Sequence, residues 1–249
     1  MSKTHLTELR FAELGLQDKV LTALEQHGYH NCTPIQAQSL PILTKGKDIA
    51  GQAQTGTGKT LAFLVATFNH LLVSAEPETR QQNQPRAIIL APTRELAIQV
   101  AEAFQKYARH LSGFHVLPVY GGSDMRGQLR QLERGVHVVV GTPGRVMDHM
   151  RRGSLKLSGL RTLVLDEADV MLNMGFEEDL NTLLSSVPKN ARSLLFSATM
   201  PGEVARIAKN YMQNAHEITV GLRNAGSEGV SHEYCAVHAK DRYRALRRI

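Results

Sequence analysis

Seven short runs of β-branched or leucine-rich residues recur along the chain, at 48–53, 87–91, 115–120, 136–140, 162–165, 193–196 and 217–220. Several carry no polar alternation, as in Val138-Val139-Val140 and Leu163-Val164-Leu165. A strand that is apolar at every position has both faces covered, the situation of a parallel sheet between two layers of helices. Stretches with helical spacing separate the runs, at 61–72, 94–110, 125–134, 145–151 and 201–211. This alternation predicts an α/β fold, with a mostly parallel sheet, right-handed crossovers and helices on both faces. The polar, proline-containing stretch 74–85 reads as a surface loop.

Several function classes are excluded early. No apolar run reaches the ~18 residues of a membrane span, and the first ten residues carry no apolar stretch of a secretory signal. Only Cys32 and Cys235 are present, which excludes a disulfide framework, so a reducing, cytoplasmic setting without membrane contact is expected. The formal charge is +6, but six basic residues against three acidic ones after position 220 hold +3 of it. The main body is only mildly basic, and charge alone does not establish a nucleic-acid partner. With no Trp and 5% aromatics, a surface of stacked bases is excluded, so any nucleic acid would be gripped through phosphates and sugars.

Residues 221–229 (GLRNAGSEG) have the composition of an interdomain linker. A strand-like run, 230–239, and a basic helix start, 240–249, follow it. Twenty residues do not make an independent core. The expected organisation is a domain over 1–220, a linker over 221–229, and the beginning of a truncated second domain over 230–249. The alternative is that this hairpin-sized piece docks on the first domain.

The clearest chemical signal is the loop from Ala53 through Gln54, Thr55, Gly56, Thr57, Gly58 and Lys59 to Thr60, between a short strand and a helix start. Backbone N–H groups in such a loop point inward and the helix N-terminus adds partial positive charge, so it binds polyphosphate. Gly56 and Gly58 permit the turn, Lys59 reaches the β- and γ-phosphates, and Thr60 offers its hydroxyl to Mg²⁺. Ala53 replaces the first glycine of the strict pattern. The bland alternative is a glycine-rich turn, which the strand before and helix after disfavour.

A second signal lies where Leu163-Val164-Leu165 runs into Asp166-Glu167-Ala168-Asp169. In an open parallel sheet, ligands sit beyond the carboxyl ends of the strands. Asp166 is then placed to hold Mg²⁺ through water, and Glu167 to orient and deprotonate an attacking water. The competing explanation is an acidic first turn of the next helix, offsetting its dipole.

With these motifs in hand, the chain resembles the N-terminal RecA-like domain of a bacterial DEAD-box ATP-dependent RNA helicase, a P-loop NTPase. Asp166-Glu167-Ala168-Asp169 is similar to the family signature, and Ala53 at the loop's first position is the family's own variant. The resemblance implies ATP and Mg²⁺ as cofactors. It also implies that Gln36, within Gly28-Tyr29…Thr33-Pro34-Ile35-Gln36, hydrogen-bonds the adenine edge and that Phe11 packs against the ring. Cys32 stands where the family usually has proline. Three further segments match RNA-contacting motifs: Pro92-Thr93-Arg94-Glu95-Leu96-Ala97, Gly121-Gly122, and Thr142-Pro143-Gly144-Arg145. Such contacts hold a strand without reading its sequence. Ser197-Ala198-Thr199 matches the motif that couples hydrolysis to strand separation, with hydroxyls able to bridge to Asp169; a simple helix cap before Pro201 is the alternative.

Finer placement stays open. The opening residues and Asn31-Cys32-Thr33-Pro34 resemble the degradosome-associated, RhlB-like type, whereas Met174-Gly175-Phe176-Glu177-Glu178-Asp179 resembles the cold-shock type. RNA-degradation or ribosome-assembly proteins are the partners those types imply, and a monomer is expected. No His-Arg-Ile-Gly-Arg-type motif occurs in these residues. An arginine finger is worth ~10³–10⁵ in rate, so this chain is expected to bind nucleotide, hydrolyse it barely, and not unwind alone. The rival class is a nucleotide-gated RNA- or protein-binding module without significant turnover.

Overall fold

The computed structural model describes residues 6–76, 79–109, 111, 113–221 and 236–247. Its elements are, in order, α1 (Asp18–Glu25), α2 (Pro34–Leu43), β1 (Ile49–Gln52), α3 (Lys59–Val73), β2 (Ala87–Leu90), α4 (Arg94–Ala108) and β3 (Val116–Val119). Then follow α5 (Met125–Arg134), β4 (Val138–Gly141), α6 (Pro143–Arg151), β5 (Thr162–Asp166), α7 (Ala168–Asn173) and α8 (Glu177–Ser185). β6 (Arg192–Ser197), α9 (Gly202–Tyr211), β7 (His216–Thr219) and the short α10 (Arg242–Leu246) complete the order. The linker and strand-like run expected over 221–239 lie outside the described residues, except Gly221 and residues 236–239.

All seven expected strands form, and they join one sheet in the order β3-β4-β2-β5-β6-β1-β7. Every pairing is parallel, from Val116↔Val138 at one edge to Ile49↔His216 at the other. Successive residues of a strand face opposite sides, and the core divides accordingly. Ile89, Val140, Val164 and Leu194 pack on the side of α1 to α4 with Leu24, Phe63 and Phe104. Ile88, Val139, Leu163 and Leu195 pack on the other with Met147, Met171, Leu183 and Val204. The uninterrupted apolar runs therefore have their physical reason in two-sided burial.

Helices α1, α2, α7 and α8 are not among the expected ones, although α1 and α8 bury stripes of helical spacing, Val20 with Ala23 and Leu24, and Leu180 with Leu183 and Leu184. α2 has Pro41 in its interior and apolar residues around its whole circumference, and α7 is six residues long, so neither presents a stripe of helical period. Among the described residues no helix is long and apolar enough to cross a membrane.

The amino-terminal edge of the sheet is locked by buried polar groups. Arg192, at the start of β6, donates to Thr162 Oγ1 (3.2 Å) and to the carbonyls of Leu43 (2.8 Å) and Ala66, tying β5, α2 and α3 together. Burial lowers its pKa to about 10, with Asp48 pulling the other way. The Asp48 carboxylate accepts from the backbone N–H groups of Ser193 (2.9 Å) and Gln213 (2.7 Å). The carboxyl-terminal edge carries the motifs instead.

Candidate active site

Sheet order decides what meets at that edge. β5, β6 and β1 are neighbours, so the acidic segment after β5, Ser197 at the end of β6 and the glycine-rich loop after β1 come together. The loop folds on itself through Thr57 Oγ1 donating to the Gln54 carbonyl (2.7 Å), and its Ala53 N–H donates to the Ser197 carbonyl (3.1 Å). Gly56 (φ +81°) and Gly58 (φ +95°) occupy the left-handed region, and α3 starts at Lys59. The first N–H groups of a helix have no intrahelical acceptor, so this start offers donors to an anion.

These residues line an open cleft of about 600 Å³, bounded by Gln36, Thr55, Gly56, Gly58, Lys59, Thr60, Asp166 and Glu167. The Lys59 side chain is buried, and its Nζ has no hydrogen-bond partner among the described residues. Burial lowers the amine's pKa, against the pull of Asp166, Glu167 and Asp169. Asp166 is buried too, which pushes its carboxyl up to about 7; Lys59 partly offsets this, and Glu167 and Asp169 add to it. Glu167 holds φ +53°, ψ +51°, and with Asn214 is one of two non-glycine residues at positive φ among those described. A residue held in that region costs ~1–2 kcal/mol and marks a place where geometry is imposed by its surroundings.

Asp169 belongs to a closed network. Its Oδ2 accepts from the Thr199 N–H (2.9 Å) and hydroxyl (2.6 Å), while its own N–H donates to Ser197 Oγ (3.2 Å). Burial would raise the Asp169 carboxyl, but these hydrogen bonds outweigh it and hold the group below its ordinary range. The hydroxyls therefore reach Asp169 and do not cap α9, whose N-cap is Pro201 without a side-chain bond.

One expectation needs correction. Phe11 does not wall the cleft: its ring is buried in the core with Leu24 and Ile35. An antiparallel bridge between Arg10 and Asn31, with the Phe11 N–H on the His30 carbonyl, fixes its segment. The aromatic residues on the cleft are Tyr29, 42% exposed, and Tyr107 of α4, with Asn31 and Gln99 beside them. Tyr29 lay within the quoted motif beside the turn glycine Gly28, and that juxtaposition was the available signal.

Gln36 is turned inward in this structure. Its Oε1 accepts from the Thr33 N–H (2.9 Å) and its Nε2 donates to the Gly58 carbonyl (3.0 Å). One N–H and one lone pair remain on the amide, enough for an adenine edge. The same contact ties the start of α2 to the glycine-rich loop. A Cβ at Gly58 would lie 2.5 Å from Gln36 Nε2 and 2.9 Å from Thr33 Oγ1, at a φ that L-residues resist. Gly58→Ala is expected to lower stability by about 1–3 kcal/mol and to weaken nucleotide binding. Denaturant midpoints and a nucleotide titration check this; unchanged values would mean the Gln36–Gly58 contact does not position the loop.

The other three motifs follow β2, β3 and β4, which are contiguous in the order β3-β4-β2. Pro92 is buried, and Thr93 caps α4 by accepting the Leu96 N–H at 3.2 Å. Arg94 is exposed, with its guanidinium 5.9 Å from the centre of the Tyr120 ring. Gly121 and Gly122 are exposed, the latter at φ +80°. Thr142 is the N-cap of α6, Pro143 begins it, and Gly144 lies against Phe176 and Asp179. Arg145 is partly engaged within the protein, donating to Gln128 Oε1 (3.2 Å) and the Ser123 carbonyl (3.4 Å).

Gln128, which the motifs do not include, organises this part of the edge. Its buried amide donates to the Tyr120 carbonyl (3.2 Å) and Ser123 Oγ (2.6 Å), and its oxygen also meets His149 Nε2 at 2.9 Å. α5 thereby holds the Gly121-Gly122 turn against α6.

Comparison with known proteins gives concordant results. A family model described as DEAD/DEAH box helicase matches residues 33–207. The chain is 47% identical over 248 residues to the ATP-dependent RNA helicase RhlB of Shewanella amazonensis, covering 99% of this chain and 56% of that protein. It is 48% identical over 235 residues to RhlB of Shewanella sediminis, covering 94% and 54% respectively. A crystal structure of a DEAD box protein from the hyperthermophile Methanococcus jannaschii superposes with a TM-score of 0.77 at 38% identity, over 96% of this chain and 62% of that one. The chain spans about half the length of the curated relatives it matches.

Proposed function

This chain belongs to the DEAD/DEAH box helicase family and has its RecA-like α/β fold, and from that premise we propose that it is the ATP-binding part of an ATP-dependent RNA helicase. One observation carries the reading: a buried Lys59 amine without a hydrogen-bond partner, in a cleft shared with Asp166 and Glu167. Such a group is costly to bury unless a partner arrives. A polyphosphate with its divalent cation completes that set of charges.

In this proposal Lys59 and the N–H groups from Gln54 to Thr60 hold the phosphates, and Gln36 holds the adenine edge with Tyr29 beside it. Bound Mg²⁺ would be held by Thr60 and Asp166 and would supply positive charge to the phosphate oxygens. Glu167 takes the proton of the attacking water. Pro92, Thr93, Arg94, Gly121, Gly122, Thr142, Pro143, Gly144 and Arg145 hold an RNA backbone without reading sequence. Bending one strand melts a short duplex locally. The Asp169–Ser197–Thr199 network is positioned to relay nucleotide state between the two halves of the edge.

The domain plan is part of the proposal: residues 1–220 form the ATP-binding domain, 221–229 a linker, and 230–249 the beginning of a second RecA-like domain. So are a cytoplasmic setting, monomeric action, and partners in RNA degradation or ribosome assembly. The test is nucleotide affinity, and turnover with and without RNA, for the 249-residue chain beside a form in which a second RecA-like domain follows. The chain alone is expected to bind Mg²⁺–ATP yet turn it over at least about 10³-fold more slowly, for want of an arginine finger. Failure to bind ATP overturns the reading. Equal turnover in both forms overturns the account of the missing arginines, and absence of turnover from both favours a nucleotide-gated binding module.

A further inference from the structure

α5 carries arginines at three successive positions of one face: Arg126, Arg130 and Arg134. All three are exposed, while Gln128 and Leu132 form the buried side of the helix. Spacing of four residues per step spreads the three cations over about 12 Å of helix. No salt bridge engages them among the described residues. The acids of this segment do not neutralise them: Asp124 is occupied in capping the helix, its oxygens accepting from the N–H groups of Arg126 (3.0 Å) and Gly127 (2.9 Å), and Glu133 stands alone.

Helix stability does not account for the pattern. Arg134 in the last turn complements the macrodipole, but Arg126 lies in the first turn, where a cation is disfavoured. A mutually repelling row at i, i+4 and i+8 also lowers helix stability slightly. What the row does have is a fixed place beside the RNA edge. α5 begins directly after the Gly121-Gly122 turn, and Gln128 clamps it to Tyr120, Ser123, Arg145 and His149.

We propose that Arg126, Arg130 and Arg134 form a phosphate track on α5 that holds RNA extending beyond the Gly121-Gly122 end of the core site. This rests on the RNA-binding reading above and adds to it a surface outside the family motifs. Arginines in a row on a rigid helix neutralise successive phosphates without contacting bases, so the track adds affinity that depends on RNA length and salt, not on sequence.

The experiment compares the wild-type chain with the triple variant Arg126→Gln, Arg130→Gln and Arg134→Gln, Gln being nearly as good a helix former as Arg. Each is titrated with single-stranded RNA of about 6 and about 20 nucleotides across a salt series. The short RNA is expected to bind both proteins alike. The long RNA is expected to bind wild type more tightly, with a salt slope steeper by about 2, so that the wild-type advantage shrinks about twentyfold between 50 and 200 mM salt. A triple Arg→Lys variant is expected to restore the long-RNA affinity, because point charges suffice. Equal affinity and equal slope on the long RNA overturn the track and leave the core reading intact. Absence of binding to both RNAs by wild type overturns both. Displacement of long RNA by polyglutamate as effective as by unlabelled RNA assigns the row to an acidic protein and overturns the proposal.

Discussion

Lys59→Met is expected to remove most of the nucleotide affinity while leaving the fold intact. The substitution keeps the buried stem of the side chain and deletes the ammonium, which has no protein hydrogen-bond partner to lose. The thermal midpoint of the nucleotide-free protein should move little, because the burial cost removed with the ammonium offsets the attraction lost to Asp166, Glu167 and Asp169. With nucleotide the balance reverses. The ammonium is electrostatically coupled to Asp166, Glu167 and Asp169, and without it one of the positive charges that separate those carboxylates from the phosphates is gone. Hydrogen bonds to charged groups contribute ~1.5–3 kcal/mol each, so a loss of one or two of them weakens binding about tenfold to ten-thousandfold. Titration with a fluorescent ATP analogue, beside a thermal melt, reads both quantities. Affinity within about threefold of wild type would show that the cleft is not organised around this amine.

The second large effect is expected at Glu167, and it has the opposite signature. Glu167→Gln preserves size and the left-handed backbone, but its amide cannot take a proton from water. Removing a general base costs ~10²–10⁴ in rate, so RNA-stimulated turnover of the protein with its second RecA-like domain should fall by that factor. ATP affinity should stay within a few-fold of wild type, because Glu167 is only partly buried while Asp166 carries the burial. Steady-state turnover and an equilibrium titration on the same preparation separate the two effects. Turnover equal to wild type would favour a nucleotide-gated binding module over an enzyme.

The two variants divide the cleft into a group that binds and a group that transfers a proton, and the residue types announce that division. An ammonium after two glycines at a helix start suits phosphate, and paired carboxylates at a strand end suit metal and water. The candidate site residues could be read along the chain because each motif is a short local pattern with strand before and helix after. Burial of Lys59 and Asp166 could not, because it depends on the sheet order that brings the loop after β1 and the end of β5 to one cleft. The same limit explains Phe11. Its position is a property of the chain, but which side of the Arg10–Asn31 bridge the ring takes is set by space in the core. Gln128 is the converse case, a polar residue in a strongly polar helix, which no pattern distinguishes from its solvated neighbours until three segments converge on it.

What the sequence determined by itself is everything with a short period. The seven strands, the two-sided burial of the inner ones, the parallel alternation, the glycine-rich turn and the acidic strand end all follow from residues within a few positions of one another. What only the tertiary structure decided is the order β3-β4-β2-β5-β6-β1-β7. That order places the RNA-type motifs on one half of the edge and the nucleotide motifs on the other, with Asp169, Ser197 and Thr199 joining β5 to β6. The physical reason is that strand formation is driven by local apolar pattern, whereas strand neighbours are chosen by packing between segments far apart in the chain, as between Gln52 and Ser197 or Ile49 and His216. Local chemistry names the parts, and long-range packing puts them within reach of one another.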